Sequence, residues 1–249
     1  MKIGLISDIH GNLEALKTAL TFLRERSNKI ICLGDIIGYG PNPVECLEIV
    51  FGTCGDDIIF GNHEHGVIGE DDLDYYNPIA KKAVLWTRDQ LSEEWLKRLR
   101  VGGYRLHFEE LDFVIAHGSL HEPIDEYLIH PGNCTSHFKK QDESVCFVGH
   151  THMPVIFTHQ RIEDIPEIKT LPFVAGQPVV LGGDVKYTVN PGSVGQPRDN
   201  DPRLSVGIFD TETREYTNHR MEYNFVETQK KIIEAGLPKE LAARLSLGN

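Results

Sequence analysis

The chain has 249 residues, long enough to bury a sizeable core, and its 40% hydrophobic, 25% charged composition excludes a disordered or fibrous class. Its formal net charge of −12 argues against a grip on extended nucleic acid, which needs a basic face, but not against a small phosphorylated substrate held through cations. Cys32, Cys46, Cys54, Cys134 and Cys146 form no CxxC pair, Met1-Lys2 opens no signal peptide, and no stretch approaches the ~20 apolar residues of a membrane span, so a reducing cytoplasm is expected.

The first run, Ile3 to Ser7, reads as a buried strand. Asn12 then stands as N-cap to a helix carrying Leu13, Leu16, Leu20 and Leu23 at near-helical spacing. Lys29 to Leu33 is a second strand-like run, stopping at Gly34-Asp35; Pro41 and Pro43 open a short helix; Asp57 to Phe60 is a third run, stopping at Gly61-Asn62-His63. Asn77 to Leu99 reads as one helix. Strand-like runs follow at Tyr104–Phe108, Leu111–Ala116, Val145–Val148, Val155–Thr158, Val179–Leu181, Tyr187–Val189 and Leu204–Phe209, and a helix at Phe225–Ala235. Glu122–Asp142 and Gln160–Gln177 lack a pattern and are expected to be lid or insertion loops. No repeat or linker is visible, so a single domain over residues 1–249 is expected, with a helical tail from about residue 224.

The polar residues at the ends of these runs share one chemistry. Asp8 and His10 follow the first, Asp35 the second, and Asn62 and His63 the third; later come His117, then His150 and His152. In open α/β sheets the carboxyl ends of strands are where ligands gather. Asp8, His10, Asp35, Asn62, His117, His150 and His152 offer seven oxygen and imidazole donors, too many for one tetrahedral ion and suited to two divalent cations with one bridging carboxylate. Such a set suits manganese, zinc or iron rather than a thiolate metal or calcium. Singly, each residue reads equally well as a turn, cap or packed histidine.

Asp8-Ile9-His10-Gly11, Gly34-Asp35, Gly61-Asn62-His63-Glu64, His117 and Gly149-His150-Thr151-His152 resemble the signature blocks of the calcineurin-like metallophosphoesterases. Asn190-Pro191-Gly192-Ser193-Val194 is similar to a loop in the small bacterial and archaeal phosphodiesterase branch. The resemblance implies a four-layer αββα sandwich of α/β (α+β) class, two packed mixed β-sheets flanked by helices. It implies one ion on Asp8, His10, Asp35 and His152, and a second on Asp35, Asn62, His117 and His150. Manganese comes first, with zinc, iron, nickel or cobalt as alternatives. His63 is then the catalytic residue, a general acid or a cation beside the phosphate, and Asn190 to Ser193 shape the edge of the site. The implied reaction is hydrolysis of a small phosphodiester, or also a monoester, by in-line attack of a metal-bridging hydroxide.

Departures from the pattern narrow this. Ile36-Ile37-Gly38 follows Asp35, without the Asp-Arg pair of Ser/Thr protein phosphatases, which favours diesters over phosphoproteins. Arg198, beyond the Asn190 loop, is read as a solvated surface arginine ahead of one that lends its charge to the phosphate, and Glu64 and His65 as orienting His63 or facing solvent. A phosphomonoesterase, a nuclease or nucleotide pyrophosphatase, and a non-catalytic scaffold of the same fold remain alternatives. Substrate choice falls to segments such as Leu120–Thr135, and nothing in the sequence signals an oligomeric state.

Overall fold

Alternation of buried side chains sets the architecture. In the computed structural model, which describes residues 1–69, 72–163 and 165–249, the chain opens with β1 (Lys2–Ile6), α1 (Leu13–Arg24), β2 (Lys29–Cys32), α2 (Pro43–Cys54) and α3 (Asn62–Ile68). There follow α4 (Pro78–Gln90), α5 (Glu93–Leu99), β3 (Arg105–Phe108), β4 (Phe113–Ala116), α6 (Thr135–Lys139) and β5 (Val145–Phe147). The remainder comprises β6 (Val155–Ile162), β7 (Ile165–Thr170), β8 (Val179–Val180), β9 (Lys186–Asn190), β10 (Leu204–Asp210), β11 (Glu215–Met221), α7 (Phe225–Glu234) and α8 (Lys239–Leu245). One sheet has the order β2-β1-β10-β11-β8, the other β3-β4-β5-β9-β6-β7, and both are mixed.

Ile3 and Leu5 of β1, Ile31 of β2, Phe113 and Ile115 of β4 and Phe147 of β5 point between the sheets, where they form one core with Phe209 and Tyr216. The residues between them face outward. Ile6, Ile30 and Cys32 pack under α1 and α2, while Val114, Ala116 and Cys146 pack under Leu120, Leu128 and Phe138. This two-residue period, used on both faces of each sheet, gives the four layers. Among the described residues, the five-residue α6 and irregular chain cover the second sheet.

The structure corrects several sequence expectations. The Asn77–Leu99 helix is two helices, because Ser92 accepts the Trp95 N–H (3.3 Å) and, with Glu93 and Glu94 behind it, starts a new one. Asp57–Phe60 makes only a single parallel bridge, Ile58 to Cys32. Gln160–Gln177 is not a loop for much of its length: β6 runs to Ile162 and pairs with β7 as a hairpin, Asp164 lying outside the described residues. β11 was not anticipated, and the expected helical tail is two helices, α7 and α8. β11 buries Tyr216 and Asn218 but otherwise reads as polar, and α8 is only seven residues long.

The expected lid over Glu122–Asp142 is partly wall. His137 on α6 accepts the Leu120 N–H on Nδ1 (3.0 Å) and donates from Nε2 to Thr188 Oγ1 (2.8 Å), a pattern that needs the neutral ring. Burial pushes its pKa down to about 4. Because the unfolded chain takes this proton nearer 6.5, the stabilisation is complete above about pH 6.5 and is lost as pH falls toward 4, by about 3 kcal/mol at most. The stability cost of His137→Gln, measured by denaturant melts, is therefore expected to shrink between pH 7 and pH 4. A cost independent of pH would refute this.

Candidate functional site

The parallel strands β1, β2, β4 and β5 end at one edge of the sandwich, and the polar residues predicted from the sequence follow them there. The backbone turns sharply at these ends. Asp8 (φ 52°), His10 (48°), Asp35 (53°), His150 (66°) and His152 (62°) all lie in the left-handed region. That conformation costs on the order of 1 kcal/mol or more for a residue with a Cβ, and Asp and His are among the types that tolerate it. It turns neighbouring side chains into one cleft instead of continuing the strand.

Two groups of donors result. Asp8, His10, Asp35 and His152 present ligand-type atoms within 4.8 Å of one another, as do Asp35, His117 and His150, and Asp35 belongs to both. Asn62 joins the second group, with Oδ1 3.1 Å from His150 Nδ1.

The outer ring nitrogens are fixed by carbonyl oxygens, which can only accept. His10 Nδ1 donates to Ile37 O (3.1 Å), His152 Nδ1 to Gln196 O (2.6 Å), His117 Nδ1 to Leu33 O (2.8 Å) and His150 Nε2 to Asp125 O (3.2 Å). This is how metal-binding imidazoles are held. It leaves lone pairs facing lone pairs: His10 Nε2 and His152 Nε2 lie 3.0 Å apart, and His150 Nδ1 lies against Asn62 Oδ1. Burial holds His10, His150 and His152 below the ordinary histidine pKa, so no proton reconciles them. Asp8 Oδ2 and His117 Nε2 are buried without a hydrogen-bond partner. Burial disfavours charge on His117, yet the Asp35 and Asp8 carboxylates raise its pKa to about 10. A Cβ at Gly61 would sit 2.3 Å from Asp35 Oδ1 and 2.5 Å from His117 Nε2, in the space where these donors converge. The residues present fit two divalent cations.

His63 stands apart from this set. Its ring meets those of His10 and Tyr39 at 4.6 and 4.3 Å, no carbonyl fixes it, and Nδ1 is buried without a partner. A Cβ at Gly38 would fall 2.1 Å from that nitrogen, so the absence of a side chain there gives the ring its room. Burial pushes its pKa down to about 4, and the Asp35 carboxylate opposes that shift.

Glu64 is the residue that the sequence left undecided and the structure assigns. It does not face solvent. Oε1 accepts the Ile36 and Ile37 N–H groups (2.8 and 3.1 Å), and Oε2 those of Asp35 and Gly61 (both 2.9 Å). One carboxylate thus ties the loop of Asp35 to the turn of Asn62. Its place at the third position of α3, reaching back to the N-cap, was the available signal. Asn190 donates to Gly149 O and Thr151 Oγ1 (3.0 Å), and Ser193 Oγ donates to Asp8 O (2.7 Å), so this loop braces the ligand-bearing turns. Arg198 is not a free surface arginine either: it is half-buried, 5.9 Å from the Tyr39 ring. Tyr127, in the expected lid, lies 3.9 Å from the His150 ring.

The comparisons with known proteins agree with this geometry. Residues 1–214 match the model of the calcineurin-like phosphoesterase superfamily domain. An uncharacterised protein of Methanocaldococcus jannaschii is 38% identical over 252 residues, covering 99% of this chain and 98% of that protein. The crystal structure of a metallophosphoesterase from Sphaerobacter thermophilus superposes with a TM-score of 0.85 at 38% identity, covering 100% and 99% of the two chains. A hypothetical protein of Pyrococcus horikoshii has the same fold, with a TM-score of 0.77 at 21% identity over 100% and 98%.

Proposed function

The chain belongs to the calcineurin-like phosphoesterase superfamily, and from that premise we propose that it hydrolyses small phosphodiesters, and monoesters less well, at two divalent cations. The observation that carries this reading is the pair of buried donor groups sharing Asp35. Asp8, His10, Asp35 and His152 would hold one cation and Asp35, Asn62, His117 and His150 the other, with manganese first among the metals suited to such donors. Bound there, the ions neutralise the phosphate and acidify a solvent molecule for in-line attack.

The chain's own residues do the rest. Glu64 and the Asn190 loop keep the donor-bearing turns in register. Among the described cleft imidazoles, His63 has a buried nitrogen without a partner and no carbonyl to fix its ring; protonated beside the anionic substrate, it would pass that proton to the departing oxygen and return to the neutral form. The Ile36-Ile37 sequence after Asp35 brings no arginine to the phosphate, which supports diesters, while two cations could neutralise the extra charge of a monoester. Five buried free thiols suit a reducing cytoplasm, and no described helix is long and apolar enough to cross a membrane.

The test is turnover of a chromogenic diester, a chromogenic monoester and a nucleoside diester by manganese-loaded protein, with and without chelator. Chelation is expected to abolish activity, and the monoester is not expected to exceed the diester in kcat/KM. His63→Gln is expected to retain both metals while kcat falls by roughly 10²–10⁴-fold, less for a nitrophenolate than for an alkoxide leaving group. A metal-loaded protein inert on all three substrates would sink the function. Loss of a metal in His63→Gln would instead make His63 a ligand.

A further inference from the structure

Two guanidinium groups meet at the mouth of the donor cleft. Arg198 Nη2 and Arg244 Nη1 both donate to Gln196 Oε1, at 3.0 and 3.2 Å. One neutral amide oxygen therefore gathers two like charges, and among the described residues neither arginine is ion-paired with a carboxylate. Burial, and after it the Arg198 charge, lowers the pKa of Arg244. Arg198 Nε is buried without a hydrogen-bond partner. In a chain of net charge −12, arginines ordinarily form ion pairs with acids, so two held together on one amide with no such pair are placed for an anion from outside.

Their position relates that anion to the cleft. Gln196 receives the Nδ1–H of His152 on its own carbonyl, so one residue positions both a candidate ligand and the two guanidiniums. Arg198 lies over Tyr39, whose ring is 4.8 Å from that of His10, and its charge also acts on the Tyr127 phenol beside His150. Beyond Tyr39 a cavity of about 600 Å³ opens between the start of α4 and α8, lined by Pro78, Ile79, Glu240, Leu241, Arg244 and Leu247 among others; Glu240 is its one acidic side chain and makes no ion pair with Arg244 among the described residues. Asp8 and Asp35 also feel nearby positive charge, but cations bound to them would satisfy that need. A singly charged diester leaves two further arginines without a purpose. A neighbouring phosphate, with two or three anionic oxygens, matches two guanidinium forks.

We propose that Arg198 and Arg244 hold a second phosphoryl group of the substrate, next to the one cleaved, so that the preferred substrates carry two or more adjacent phosphates. The cleavage itself rests on the phosphoesterase reading above, whereas the anion site does not.

Two measurements separate these claims. In the first, manganese-loaded protein is titrated calorimetrically with methylenediphosphonate and with methylphosphonate, with metal content checked afterwards. The diphosphonate is expected to bind at least about tenfold more tightly, and Arg198→Gln and Arg244→Gln each to remove most of that margin, with Arg244→Lys intermediate. In the second, the kcat/KM ratio of a terminal nitrophenyl ester of a nucleoside triphosphate to the nitrophenyl ester of the monophosphate is expected to fall by about tenfold or more in either glutamine variant. Should the protein lack turnover yet show the arginine-dependent binding margin, the subsite stands and the hydrolase reading falls. Equal affinity for the two phosphonates, or ratios unchanged in the variants, overturns the subsite. The ratios are taken within each variant and so are insensitive to partial loss of fold. If one glutamine variant does not fold, the other and Arg244→Lys decide.

Discussion

Asp35→Asn is expected to remove both metal ions and to lower kcat by at least about a thousandfold. Asp35 Oδ2 lies 3.6 Å from His10 Nε2 and 3.4 Å from His117 Nε2, one imidazole from each donor group, while Oδ1 accepts the His63 N–H at 3.0 Å. Burial alone would raise its pKa, yet the neighbouring imidazoles, His117 above all, hold the carboxyl well below its ordinary value. An asparagine has one oxygen and no charge. It can serve one group of donors weakly but not two, and its amide would direct an N–H at cations or at a neighbouring backbone N–H. His150→Ala and His152→Ala each belong to one group and should release mainly one ion. Elemental analysis after reconstitution, followed by turnover, checks the prediction. Two retained ions with near-normal rate in Asp35→Asn would show that this carboxylate does not bridge.

Glu64→Gln is expected to be the most destabilising single-atom exchange around the site. Each carboxylate oxygen accepts two backbone N–H groups, so either orientation of a glutamine amide turns an NH₂ against two buried donors. At about 1–3 kcal/mol for each orphaned donor the loss is roughly 2–6 kcal/mol, which for a chain of this size lowers Tm by about 4–24 °C. Burial, then the nearby Asp35 charge, pushes the Glu64 pKa up to about 7, and the Gly61 and Ile37 N–H groups oppose that shift by favouring the ionised form. Because the same carboxylate joins the Asp35 loop to the Asn62 turn, metal affinity should fall about 10–100-fold as well. Thermal melts of the metal-free protein isolate the structural part, and metal titration the rest. An unchanged Tm would mean that other contacts hold the two loops.

The donors were legible in the sequence because each follows a short apolar run or a glycine turn, and such residues recur in order along the chain. What hid Glu64 was its neighbour: next to His63 in an HEH run, a glutamate looks like part of a polar helix start, and its four partners come from two separate loops. Arg198 was misread for a related reason. An arginine beside Asp199 and Asn200 in a polar loop looks solvated until the C-terminal helix brings Arg244 and the Asp35 loop brings Tyr39 alongside it. The β6–β7 hairpin was missed because its alternation carries mixed charge on an edge strand.

The sequence by itself determined the strand periods that build two sheets, the identity of the seven candidate donors and the class of ion they suit, since these depend on residue type and local spacing. Only the tertiary structure decided which imidazole nitrogens face inward, what Glu64 holds and where the arginines meet. Those depend on contacts between groups as far apart in the chain as His10 and His152, or Gln196 and Arg244. Their geometry is set by how two sheets and the C-terminal helix pack, and no local pattern encodes it.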